Sequence, residues 1–189
     1  MPNRLVSRAV LAACLALPAA LGGCMGVGMQ DPGTAASAMG MGNADVLGII
    51  IAANQSEVEM GLQATQRAAN PAVRAFAERM VRDHTQAETT MRAMAQRLNL
   101  PPRDSETSRG LNDFTRASLN ALGARSGASF DREYMRLQVQ QHRWLEEALG
   151  TNLIPGAQDE QLRAALQRMR PSVAVHLREA ERIFATFGR

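Results

Sequence analysis

Val73-Arg74-Ala75-Phe76-Ala77-Glu78-Arg79-Met80-Val81-Arg82-Asp83-His84-Thr85-Gln86-Ala87-Glu88-Thr89-Thr90-Met91 decides the fold class of this chain. Val73, Phe76, Met80, His84, Ala87 and Met91 stand three and four residues apart, and the pattern runs on through Met94 and Leu98. That spacing puts all of them on one face of a helix, so His84 points at a core together with its apolar neighbours. Asn70-Pro71 opens the helix, with proline at the first helical position, and Pro101-Pro102 follows its end near Asn99.

Working outward, the same reading recurs. Before Asn70, a helix from Asn43 to about Ala69 has an inner face of Leu47, Ile50, Asn54, Glu57, Gly61, Ala64 and Ala68, with Glu57 the odd member. Residues 107 to 123 form a shorter amphipathic segment carrying Leu111, Phe114, Leu119 and Leu122, placed as a crossover. A third long helix follows Ser129, with inward Met135, Val139, His142, Leu145 and Leu149. After a loop at Thr151 to Gly156, a fourth runs from about Ala157 to Phe187, with inward Leu162, Leu166, Met169, Val173, His176, Ala180, Ile183 and Phe187. Pro171 inside it should kink it. The expected fold is all-α: a ferritin-like four-helix bundle of two antiparallel hairpins joined by a short crossover helix, over residues 43–189.

Residues 1–23 read as a signal peptide. Arg4 and Arg8 precede an apolar run from Ala9 to Gly23 that is too short, and too interrupted at Pro18, to span a membrane. The run ends Leu21-Gly22-Gly23-Cys24, which resembles the bacterial lipobox, so Cys24 is expected to be lipidated and to anchor the protein in a membrane. Met25 follows it where an aspartate would be expected for retention, which points to an outer-membrane lipoprotein facing the periplasm. Residues 24–42 are rich in Gly, Ala, Ser and Met without periodicity and read as a flexible tether. Cys14 leaves with the signal, so no intramolecular disulfide is available. All 21 basic residues are arginine, and without Arg4 and Arg8 they number 19 against 18 acids. That near-neutral, scattered charge, with few aromatics, argues against nucleic acid as a partner. A protein partner is left unnamed.

His84, His142 and His176 are the chain's 3 histidines, and each interrupts an apolar stripe. Burying an imidazole costs free energy unless its nitrogens find partners, so three facing one interior point to a polar or metal-binding centre. A carboxylate-bridged di-iron centre needs Glu-x-x-His, but Val81, Val139 and Val173 stand three residues before the histidines. A mononuclear site fits better. Glu57 and His84 lie 13 and 14 residues either side of Asn70, at matching heights about 20 Å from the turn. Glu57, His84, His142 and His176 are therefore the candidate metal ligands, for Zn, Fe or Mn. The second hairpin agrees less well. With its turn near Ile154, His142 and His176 are mismatched by roughly 15 Å, and His176 would face Asp131 or Tyr134 instead. The competing reading is that each histidine is a core residue hydrogen-bonded to Glu57, Asp131 or Asp83, in a metal-free structural or stress-related envelope protein that acts by binding a partner. No nucleophile with an adjacent base and no phosphate-binding loop marks an enzyme.

Ser56-Glu57-Val58, Phe76-Ala77-Glu78-Arg79-Met80-Val81-Arg82-Asp83-His84-Thr85, Phe130-Asp131-Arg132-Glu133-Tyr134, Gln141-His142 and His176-Leu177 together resemble the domain-of-unknown-function 4142 family of exported bacterial proteins. The resemblance runs from about Ala44 to the C-terminus. It implies a ferritin-like up-and-down bundle in the cell envelope, and it implies no particular activity.

Overall fold

The computed structural model describes residues 40–188. The expected signal peptide, the expected lipidation site Cys24 and all of the expected tether before residue 40 lie outside the described residues. Five helices of substantial length carry the fold: α1 (Asn43–Arg67), α2 (Pro71–Arg97), α3 (Glu106–Gly123), α4 (Gly127–Ala148) and α5 (Glu160–Phe184). Among the described residues there is no strand, and no helix is long and apolar enough to cross a membrane.

Local chemistry sets the ends. The Asn70 side chain accepts from the Ala72 N–H, with Pro71 in the first turn of α2. Asn99, just past α2, takes the left-handed conformation (φ 51°) that a helix stop favours and asparagine tolerates. Ser105 caps α3, and Asp159 accepts from the N–H groups of Gln161 and Leu162 to start α5. Helix α5 continues through Pro171.

Helix α1 is the axis. Its first half is apolar all round (Val46, Leu47, Ile49, Ile50, Ile51, Ala52 and Ala53 are all buried), because α2, α3 and α4 each pack against it. Helix α5 in turn packs against α4 and α2, so α1, α2, α5 and α4 enclose one interior, and α3 lies along the outside of α1. The core comes in two parts. One apolar cluster gathers Leu47, Ile50, Met91, Trp144, Leu149, Leu162 and Leu166. The other gathers Met60, Phe76, Met80, Phe130, Tyr134, Met135 and Ile183. Buried Asn54, Glu57, His84, Gln138, Gln141, His142 and His176 sit at the level where the two clusters meet.

Two expectations need correction. The turn between the third and fourth long helices does not fall near Ile154. Past Ala148, α4 runs on through a π-helical turn, Leu149–Leu153, and a last helical piece, Ile154–Gly156, before α5 begins at Glu160. Taking Gly156 and Asp159 as the two sides of the turn, His142 lies 14 residues before it and His176 17 after. A difference of three residues is roughly 4.5 Å of helix, so the expected height mismatch shrinks to less than one helical turn. Met41, which the sequence reading puts in a flexible tether, is buried and packs within 3.4 Å of where a Gly156 side chain would begin.

Candidate functional site

The three histidines meet in the interior. His84 on α2, His142 on α4 and His176 on α5 have ring centroids 5.4–5.5 Å apart, and one nitrogen from each lies within 4.8 Å of the others. All three are buried, His142 completely.

What lies behind each ring fixes its tautomer. Asn54 donates its Nδ2 to the Ile50 carbonyl (2.7 Å), which leaves its Oδ1 to accept from His84 Nδ1 at 2.8 Å. His142 Nδ1 donates to the Gln138 carbonyl at 3.0 Å. His176 Nε2 donates to Asp83 Oδ2 at 2.9 Å. In each case the outer nitrogen meets an acceptor and so carries the hydrogen, which leaves a lone pair on the inner one. Those inner atoms, His84 Nε2, His142 Nε2 and His176 Nδ1, are the ones with no hydrogen-bond partner among the described residues. Three lone pairs thus converge where a protein interior would ordinarily satisfy or avoid them.

The electrostatics hold the rings neutral. Burial pushes His84 well below its usual 6.5, helped by the two neighbouring rings. Burial takes His142 down to about 3. It also lowers His176, with the Asp83 carboxylate opposing. Glu57 is driven the other way, up to about 8, by complete burial that a hydrogen bond from Gln138 only partly offsets.

Glu57 does not stand among the three converging nitrogens. Its Oε1 lies 3.3 Å from His142 Nδ1, on the outer side of that ring, while Gln138 Nε2 donates to its Oε2 at 2.6 Å. Nor does His176 face Asp131 or Tyr134. Asp131 accepts from the backbone N–H groups of Ala69 and Asn70 at 3.0 and 2.7 Å, tying α4 to the α1–α2 turn. Tyr134 packs edge-on against Phe76. Glu88, Glu146 and Glu179 lie at the rim in contacts with Arg92, Arg170 and Arg79. Periodicity placed Asn54 on the inner face without suggesting its role. It missed Gln138 and Gln141, which show in the pattern as polarity at the border of a stripe, although Gln141 also stands in the Gln141-His142 pair of the family resemblance. Gln141 donates to the Ala53 carbonyl and accepts from Ser56, which in turn accepts from Thr115, so the polar layer extends to α3.

On one side the centre is open. His84 and His176 line a cavity of about 290 Å³ between α2 and α5, which His142 and Glu57 do not reach. The other side is closed by α1 and α4.

A family profile described as a domain of unknown function, DUF4142, matches residues 28–183. The chain belongs to the DUF4142 family. It is also similar to the crystal structure of a DUF305 protein from Streptomyces coelicolor, described as secreted, with a TM-score of 0.64 and 18% identity over 77% of this chain and 94% of that one. At that identity the likeness shows a shared helical fold. No curated protein matches the chain.

Proposed function

We propose that this DUF4142 domain binds one divalent metal ion through His84 Nε2, His142 Nε2 and His176 Nδ1, in a ferritin-like four-helix bundle held at the cell envelope. The observation that carries the reading is the tautomer pattern. Three outer nitrogens are engaged by acceptors, and three inner lone pairs face one another with no partner. Acceptors behind ligating histidines are the usual device for orienting them and raising their basicity. Nitrogens at 2.0–2.1 Å from a tetrahedral ion lie roughly 3.3 Å apart, so atoms within 4.8 Å of one another close on an ion with small side-chain movements. Of Zn, Fe and Mn, an all-imidazole set suits Zn or Fe over Mn. Glu57 serves behind His142 as the outer carboxylate.

The test uses the full chain, freed of metal. Added Zn²⁺ should raise its melting temperature, because a ligand that binds only the folded state stabilises it by mass action. His84→Ala and His142→Ala should abolish the rise. Glu57→Gln should keep it while weakening Zn²⁺ about 10- to 100-fold, the usual effect of losing an outer partner. An unchanged rise in His84→Ala would remove the site.

The envelope location rests on the lipobox-like Leu21-Gly22-Gly23-Cys24 and agrees with the secreted description of the DUF305 protein. Cys24→Ser should move the protein from the membrane to the soluble fraction, since a single lipidated cysteine would be its anchor. Continued sedimentation with membranes would overturn the anchor.

A further inference from the structure

We infer that the ion in this centre takes a small anion as an exogenous ligand, which enters through the cavity between α2 and α5 and binds at the coordination position the three histidines leave open. This inference rests on the metal-binding reading above. All three protein donors are neutral imidazoles, so a bound dication keeps its full charge, and the ligand that best complements it is an anion. The direction of approach follows from the geometry. His142 has α1 and α4 behind it, whereas His84 and His176 form part of the cavity wall. A centre with three protein ligands and an accessible fourth position is the arrangement of zinc sites that bind water or substrate, in contrast with closed four-ligand structural sites.

The cavity has the character such a ligand needs. Ala87, Ala165 and Val173 line it with small apolar side chains that leave room for a ligand, and Gln86, Thr90 and Ser172 add uncharged polar groups to the wall. Arg168 lines the same cavity and is exposed, so it supplies a positive charge on the path inward. Asp83 is the cavity's one carboxylate. Its charge is already engaged by the His176 N–H at 2.9 Å and by Arg79 at 3.5 Å. At about 290 Å³ the space readily holds an anion of a few heavy atoms.

The probe is azide, added to the full chain loaded with Co²⁺, whose visible d–d bands report both binding and coordination. Bands that appear in the wild type and are absent from His84→Ala establish the ion in the centre. Azide should then change them saturably. Ala87→Leu, which fills the cavity beside His84, should keep the Co²⁺ bands and lose the azide response. Arg168→Gln should keep both and weaken azide roughly threefold to tenfold. If Co²⁺ bands form and azide leaves them unchanged, the open position is wrong while metal binding stands. If azide shifts them equally in wild type, Ala87→Leu and Arg168→Gln, the route through this cavity is wrong. If no bands form, the metal-binding reading fails and this inference with it.

Discussion

Glu57 and His142 pull the stability of the metal-free domain in opposite directions along the pH axis. A histidine whose folded pKa lies below its ordinary 6.5 takes up a proton more readily when unfolded, so stability falls as pH drops below that value. The loss is about 1.4 kcal/mol per pH unit for each histidine, and for His142 it continues down to about 3. Glu57 is raised from 4.5 to about 8, so its proton is held by the folded state across that window, and stability falls as pH rises through it. Between 8 and 6.5 Glu57 acts alone, and below 6.5 three histidines outweigh it. The urea midpoint of the metal-free protein should therefore peak near pH 6.5, and Glu57→Gln should flatten the alkaline limb and steepen the acid one between 6.5 and 4.5, where the histidines then act unopposed. A wild-type midpoint that does not decline from 6.5 to 8 would mean that Glu57 is already ionised. At this scale the sequence was a good guide to which residues lie inside, since all three histidines, Asn54 and Glu57 were on predicted inner faces. It could not say which nitrogen turns inward. That depends on acceptors such as the Gln138 carbonyl and Asp83, whose positions are set by helix rotation and not by spacing.

Helices and their caps were legible because proline, asparagine and serine mark their ends chemically. Asn43, Pro71, Arg97 and Gly123 each fall within about two residues of an expected boundary. The π-helical turn at Leu149–Leu153 was not legible, since nothing in Leu-Gly-Thr-Asn-Leu distinguishes one more turn of helix from a loop. Misplacing that one turn separated His142 from His176 by several helical turns on paper. Close approaches between elements are equally hidden from periodicity. The segment after α2 crosses α1 at Gly48, where a Cβ would lie 2.1 Å from the Arg103 carbonyl oxygen. The Arg103 N–H also donates to the Ala44 carbonyl at 2.9 Å, and its guanidinium pairs with Asp45. Gly48→Ala should cost about 1 to 3 kcal/mol, because backbone on both sides must move. Chemical denaturation measures it, and a loss under about 0.5 kcal/mol, the range of an ordinary surface change, would show the crossing to be loose.

The whole domain begins before its first helix. Met41 sits in the apolar cluster at the α4–α5 end, so a truncation starting at Gly40 should fold cooperatively and be fully helical by circular dichroism. One starting at Asn43 should lose about 1 to 3 kcal/mol, the worth of a buried methionine. Equal stability of the two would mean that Met41 contributes nothing. The division of the interior into two apolar clusters with a polar level between them has another consequence. Leucine, alanine and methionine repeat along every inner face, and helices with such faces can exchange one set of neighbours for another by sliding a turn. A slide here would carry Asn54, Glu57 or a histidine into hydrocarbon and strand its hydrogen bonds, at a cost no new apolar contact repays. The polar level therefore acts as a detent: it admits one axial alignment of four helices and rejects its neighbours, whether or not an ion is present.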